Sequence, residues 1–230
     1  MSPHRLKAPR WSDGDGGREY LRSLPVLTGT APAFDTDDTP AEPVTLFIKW
    51  LQDAVEAALP EPHAMTLSTV DSRGFPQARV LIIKAVDERG WHFAVNASSQ
   101  KGRELSANPV AALTFYWPGL VRQVRISGAV INDGAQANAQ DFLARPLESR
   151  AMALTMKQSQ PLTNGAELDA EIAHAHRKLD KNPKIIPPEW ISYAVRAEYV
   201  EFWQGAADRR HQRLRYERND ERWDRRRLWP

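Results

Sequence analysis

Apolar residues recur along this chain with two distinct periods, and the switch between them marks out the elements. Leu46, Phe47, Trp50, Leu51, Val55 and Leu59 are spaced three and four apart. That is the stripe of an amphipathic helix, with a proline near its start and Pro60 and Pro62 to end it. Strand-length apolar runs then take over. Ala64–Val70 and 76–84 flank Asp71-Ser72-Arg73-Gly74, a turn whose glycine can take positive φ. Three more strands are predicted at 91–95, Val110–Trp117 and 122–130. Ser98-Ser99 offers an N-cap to a helix over QKGRELSAN, closed by Asn108-Pro109. Helical patterns follow at 135–144, Leu147–Leu154 and 166–179, and Pro183, Pro187 and Pro188 then break the chain. Strands return at 190–195, 199–203, 209–216 and 223–228.

Strands dominate, helices are appended, and there is neither a βαβ rhythm nor a fixed-period repeat. The pattern predicts a mainly β (α+β) protein, a closed or split β-barrel with peripheral helices. Residues 42–230 form its single domain. Residues 1–41, rich in Gly, Pro, Asp and Thr, predict a mobile or loosely docked segment whose anchoring residues are confined to Arg18-Glu19-Tyr20-Leu21. Side-chain parity puts Arg79, Leu81 and Ile83 on one face of their strand, and Val80, Ile82 and Lys84 on the other. In 122–130, Gln123, Arg125 and Ser127 share a face, with Val124 and Ile126 opposite.

Composition narrows the classes. The 230 residues carry 31 Lys and Arg against 29 Asp and Glu, a net charge of +2, which predicts no polyanionic partner for the protein as a whole. Cysteine is absent, so disulfides and thiolate metal sites are excluded and a reducing cytoplasm suits the chain. No apolar run approaches the roughly 18–20 residues of a membrane helix, and the basic N-terminus lacks the apolar stretch of a secretory signal. The expectation is a soluble cytoplasmic protein.

Candidate chemistry is sparse. No G-x-G-x-x-G, P-loop, H-E-x-x-H or G-x-S-x-G occurs, and His174 and His176, two apart on a helix, suit a solvated face better than a metal. No metal site is expected. Arg79, Lys84 and Lys101 are the cations that interrupt the apolar strands. Lys101 sits in the first turn of its helix, where backbone N–H groups favour an anion. Together they make an anion cradle, or else two strand-end cations reaching for water and a solvated lysine. Gln123 can donate and accept at once, as the mixed edge of a heterocycle demands, or can lie on an exposed strand face. The run DRRHQRLRYER would align Arg209, His211, Arg213 and Arg215 if it is a strand. It reads as an anion site, a basic edge that discourages strand pairing, or a nucleic-acid strip with Arg225-Arg226-Arg227. Interleaved acids at Glu217, Asp220, Glu221 and Asp224 weigh against nucleic acid.

R-V-L-I-I-K (79–84), S-S-Q-K-G-R-E-L (98–105), N-P-V-A-A-L-T-F-Y-W-P (108–118), R-Q-V (122–124), K-Q-S (157–159), E-F-W-Q-G (201–205) and R-R-H-Q-R (209–213) occur in order at compatible spacing. Over roughly 43–230 the chain resembles the pyridoxamine 5′-phosphate oxidase family. The resemblance implies a homodimeric FMN-binding split barrel with two flavin sites at the subunit interface. Arg79 and Lys101 would hold the FMN phosphate. The backbone of Val80, Leu81, Ile82 and Ile83 would line the flavin, with Lys84, Val95, Ser99 and Gln100 in the same cofactor site. Gln123 would bond the flavin ring or its chain. Gln158 and Ser159 would reach in from the partner region, Trp203 would pack on the flavin, and Arg213 would pair with it. Lys84, Arg145 and Ser149, with Asp141, match the substrate-phosphate pocket. Arg209 and His211 match the substrate-facing catalytic pair. The implied reaction oxidises an aromatic substrate at its exocyclic carbon, with oxygen taken to hydrogen peroxide.

Several positions depart from the family pattern. Asp141 stands where a tyrosine is usual, and a carboxylate about 4 Å from a phosphate costs roughly 4 kcal/mol per charge pair at an effective dielectric near 20. Ala94-Val95 replaces a Tyr-Thr pair, Gln100 an arginine and Arg210 a leucine. Leu27-Thr28-Gly29-Thr30 and Ser99-Gln100-Lys101-Gly102-Arg103-Glu104-Leu105 look like the phenazine-biosynthesis branch of the family. The alternatives to a vitamin B6 phosphate oxidase are therefore an oxidase of a reduced aromatic heterocycle and, outside enzymes, a flavin- or nucleic-acid-binding module.

Overall fold

In a computed structural model of the chain, which describes residues 15–230, the amphipathic stripe forms helix α2 (Pro43–Glu56). Its buried face is aromatic, and aromatic rings pack best edge to face. Phe47 meets Phe115 at 4.8 Å and Trp91 at 5.6 Å between ring centroids, while Trp50 meets Phe202 at 5.1 Å. Arg122, only 3% exposed, lies 4.2 Å over the Trp50 ring and donates to Asp53 Oδ2 (2.5 Å) and Gln204 Oε1 (2.9 Å). A buried guanidinium needs such partners, and here they bolt α2 to the sheet.

The sheet is antiparallel throughout. In chain order its strands are β1 (Ala64–Val70), β2 (Pro76–Ile82), β3 (Ala85–Asp87), β4 (Gly90–Asn96), β5 (Val110–Trp117), β6 (Arg122–Asn132), β7 (Trp190–Gln204), β8 (Gln212–Asn219) and β9 (Arg222–Arg227). The spatial order is β2-β1-β5-β6-β7-β4-β3, with β8 on β7 and β9 on β8. The fifteen-residue β7 is the branch point. One edge pairs with β6 over 193–204, while the other is shared between β4 (190–195) and β8 (199–204). Gly128 faces Ala197 and Ser127 faces Tyr199, so Glu198 is an extra, unmatched residue in a β-bulge. A Cβ at Gly128 would lie 2.0 Å from the Arg196 carbonyl oxygen, so this close approach requires glycine.

Around the sheet stand α1 (Asp15–Ser23), α3 (Gln100–Ala107), α4 (Ala135–Leu143), α5 (Leu147–Leu154) and α6 (Gly165–Lys181). Phe142, Ala151, Leu154, Ala175 and Leu179 bury a second, smaller core against Trp190. No helix among the described residues is long and apolar enough to cross a membrane.

Most predicted elements are present, with four differences. The predicted strands 190–195 and 199–203 are one strand, because the bulge absorbs the change of parity between them. The strand predicted at 76–84 stops at Ile82; the amides of Ile83 and Lys84 turn to the carbonyls of His63 and His92 instead. The strand predicted from residue 209 begins only at Gln212. Arg209 has φ +66°, its N–H closes a turn on Ala206, and Asp208 caps the Arg210 amide at 3.0 Å. Helix α1 and the short β3 were not anticipated.

Of the segment 1–41, residues 1–14 lie outside the described residues. Beyond α1, Phe34 is buried 4.9 Å from Trp50, the Thr30 amide donates to the Gly119 carbonyl (2.9 Å), and the Tyr216 hydroxyl donates to the Pro40 carbonyl (2.8 Å). Truncating the residue at the centre of the aromatic core tests its weight. Phe47→Ala should cost about 3–5 kcal/mol and lower the melting temperature by roughly 10 °C, as read by urea and thermal denaturation.

Candidate functional site

A cavity of about 630 Å³ opens between the sheet and the helical layer. The β2 and β4 strands contribute Leu81, Ala94, Val95 and Asn96, α3 contributes Lys101, the turn before α5 contributes Arg145, and α5 and the following loop contribute Ser149, Met152 and Gln158. Trp190, at the start of β7, completes that wall. The rim carries Lys157, tied to Glu167 (3.1 Å) and Glu171 (3.0 Å).

Lys101 enters the cavity from the first turn of α3. Ser99 caps that helix by accepting from the Gly102 amide at 3.2 Å, and Gly102 lets α3 press against the 96–97 backbone, where a Cβ would lie 2.4 Å from two carbonyl oxygens. Lys101 is 7% exposed, and its Nζ meets only neutral acceptors, Gln158 Oε1 at 2.9 Å and Ser99 Oγ at 3.4 Å. Burial, reinforced by the charge of Arg79, pulls its pKa below the ordinary lysine value. Arg79 bonds Glu104 Oε2 (3.0 Å) and the Thr69 hydroxyl. Burial pushes the Glu104 carboxyl up, but bonds from Thr69 (2.5 Å), Gln100 (2.8 Å) and Arg79 hold it below its usual range. Glu104 is thus paired with Arg79, and Lys101 has no carboxylate within ion-pair distance among the described residues. A bound anion would balance this donor set.

Arg145, like Lys101, has no carboxylate within ion-pair distance among the described residues. Its guanidinium lies 4.3 Å over the Trp190 ring, and its Nε is buried with no hydrogen-bond partner among those residues. Burial lowers its pKa, with Asp141 acting in the opposite sense. Asp141, expected beside the substrate phosphate, does not line the cavity. Its carboxylate accepts from the Trp190 indole N–H at 2.7 Å.

The structure sorts the sequence candidates into two groups. Leu81, Val95, Lys101, Arg145, Ser149 and Gln158 meet in the cavity; Arg79, Ser99, Gln100 and Ser159 adjoin it, with the Ser159 hydroxyl 3.4 Å from the Gln100 amide. Val80 (67% exposed), Ile82 and Lys84 do not line the cavity, and Ile83 is buried in the main core. Gln123, Trp203 and Arg213 form a second group, a single cross-strand row over β6, β7 and β8. His211 packs 5.0 Å from Trp203, and its Nδ1 accepts from the Ala206 amide at 3.0 Å, so the neutral ring carries its proton on Nε2. Arg209, exposed, begins the same loop. In the next row Glu201, 2% exposed, accepts from Arg213 (2.8 Å) and Arg215 (2.9 Å), with Arg125 at 4.0 Å.

Glu104, Trp190 and Glu201 were missed as site residues. Lys101 and Glu104, three apart on a helix, carried a readable signal. Glu201 stood inside a quoted motif without a role, and Trp190 carried no signal beyond opening a strand.

The family model for pyridoxamine 5′-phosphate oxidase matches residues 51–185, and that for the pyridoxine 5′-phosphate oxidase C-terminal dimerisation region matches 190–230. The pyridoxine/pyridoxamine 5′-phosphate oxidase of Herminiimonas arsenicoxydans is 45% identical over 195 residues, 84% of this chain and 92% of that one. Among solved structures, PhzG from Burkholderia lata, in complex with tetrahydrophenazine-1-carboxylic acid, is 33% identical with a TM-score of 0.81, covering 88% of this chain and all of that one. A pyridoxamine 5′-phosphate oxidase-related, FMN-binding protein from Nostoc punctiforme, 17% identical with a TM-score of 0.66 over 84% of this chain and all of that one, shares the fold.

Burial pushes the Glu201 carboxyl up, but Arg215 and Arg213 outweigh it and hold the group below its usual range. Its stabilisation is therefore in place above the unfolded value near 4.3 and fades as pH falls through the lower folded one. Glu201→Gln should lose about 1–3 kcal/mol at pH 7 and show a flatter loss of stability from pH 5 to 3, as measured by urea midpoints across that range.

Proposed function

The chain belongs to the pyridoxamine 5′-phosphate oxidase family, and on that premise we propose that it is an FMN-dependent oxidase of pyridoxamine or pyridoxine 5′-phosphate. The products are pyridoxal 5′-phosphate and hydrogen peroxide, with water taken up and ammonia released when the substrate is the amine. The observation that carries this reading is a single cavity with two cationic donors, Lys101 and Arg145, neither with a carboxylate in ion-pair range among the described residues, and with Leu81, Ala94, Val95 and Trp190 as apolar or aromatic lining. A cofactor and a substrate that each carry a phosphate on a flat ring need such a cavity.

The residues fit FMN by the chemistry of their donors. Lys101 and Arg79 would hold the phosphate, and Leu81 and Val95 would line the ring system and exclude water. When bound, FMN supplies the two-electron acceptor for the substrate's exocyclic carbon, with oxygen as the terminal acceptor. Arg145 and Ser149 orient the substrate through its own phosphate, with Lys84 as a further cation. His211 offers an Nε2–H donor and Arg209 a charge on the substrate's reacting side.

The two groups of candidates stand at opposite ends of β7. Trp190 and Trp203 are separated by roughly 40 Å of strand, further than one mononucleotide spans. A homodimer, in which one subunit's Gln123–Trp203–Arg213 row with His211 covers the other's cavity, removes this difficulty. The matched dimerisation region supports it. The absence of cysteine suits a cytoplasmic setting.

The likeness to PhzG favours a second reading, oxidation of a reduced aromatic heterocycle. Peroxide formation by the flavin-loaded protein with pyridoxamine 5′-phosphate supports the first; turnover of a dihydrophenazine alone supports the second. Protein that takes up no FMN would sink both. Lys101→Met should weaken FMN binding by about tenfold or more. Because the Lys101 pKa is lowered, wild-type affinity should fall at a less alkaline pH than an ordinary lysine dictates, and the variant should lose that dependence in fluorescence titrations.

A further inference from the structure

Asp141 sits against the cavity wall without facing into it. Its Oδ2 accepts from the Trp190 indole N–H at 2.7 Å, and the other side of this contact is the ring that carries the Arg145 guanidinium. Arg145 is poorly satisfied where it stands. Among the described residues its Nε has no partner, and its Nη2 reaches only the Ser149 carbonyl, at 3.5 Å.

We propose that Asp141 is a positioning residue: by holding the Trp190 indole it keeps Arg145 on the ring face, with its donors free for an anionic group of the substrate. Two physical effects act together. A hydrogen bond to a carboxylate is charge-assisted and fixes the plane of the indole, and the fixed ring attracts the cation above it. The indole also keeps the carboxylate occupied. Released from Trp190, Asp141 would turn to the nearest cation, Arg145, and compete with the incoming anion for its donors. This explains how an acid is tolerated next to a phosphate pocket. The inference rests on the reading above that Arg145 meets the substrate's phosphate.

The test titrates inorganic phosphate into FMN-saturated protein by calorimetry, so that the cofactor's own phosphate site is filled. Trp190→Phe keeps an aromatic face but removes the N–H; it should weaken phosphate binding about tenfold. Asp141→Asn alone still offers a carbonyl acceptor and should stay within about threefold of wild type. Added to Trp190→Phe, Asp141→Asn should recover only the part of the loss caused by the released charge, leaving the double variant about threefold below wild type because nothing then holds the ring. In steady state, Trp190→Phe should raise KM for pyridoxamine 5′-phosphate more than it lowers kcat. A Trp190→Phe variant that binds phosphate like wild type, a loss that Asp141→Asn does not rescue, or a wild-type protein that binds no phosphate would each overturn the inference. Failure of the proposed function is read separately, as wild-type protein that forms no peroxide from pyridoxamine 5′-phosphate, since the titration and its rescue need no turnover.

Discussion

A strand's backbone must satisfy both of its edges, and in this protein the longest strand does so with three neighbours. β7 gives one edge to β6 over 193–204 and divides the other between β4 and β8. That division opens the barrel. It sends the wall with Trp190 and the 630 Å³ cavity to one end, and the row with Trp203 and Arg213 to the other. The aromatic face of α2 and the buried Arg122 hold the two halves at a fixed distance, so neither group of residues can reach the other within one chain.

Charge is distributed with the same economy. Two buried carboxylates, Glu104 and Glu201, are each surrounded by donors and hold arginines in place. Asp141 is engaged by an indole. Lys101 and Arg145 keep donors that no carboxylate among the described residues claims. In a low-dielectric wall such cations attract a phosphate strongly, and burial of Lys101 makes its protonation the more dependent on that ligand.

Much of this was legible in the chain. The three-and-four spacing of α2, the Ser99 cap and the alternation about Gln123 are local signals, and the structure follows them. Arg79 could be singled out because charge is costly in an apolar strand, and Lys101 because it stands in the first turn of a capped helix. What could not be read was long-range. The row Gln123–Trp203–Arg213 is a fact of register across three strands, and the engagement of Asp141 by Trp190 spans 49 residues. The continuity of 190–204 was hidden because a bulge breaks the very alternation by which a strand is recognised. Arg209 and His211 looked like strand residues by parity, but Asp208 closes a local turn first.

That bulge has an evolutionary corollary. Glu198 has no cross-strand mate and points to solvent, so its identity is weakly constrained. Its presence shapes the strand without setting which way side chains face. Gly128–Ala197 and Ser127–Tyr199 are neighbouring pairs, so losing this single codon would leave every residue from Tyr199 to Gln204 opposite its present mate and would remove only the local bend and added twist of the bulge. Drift can therefore rewrite this position freely, and even its loss would straighten the strand rather than turn its side chains over.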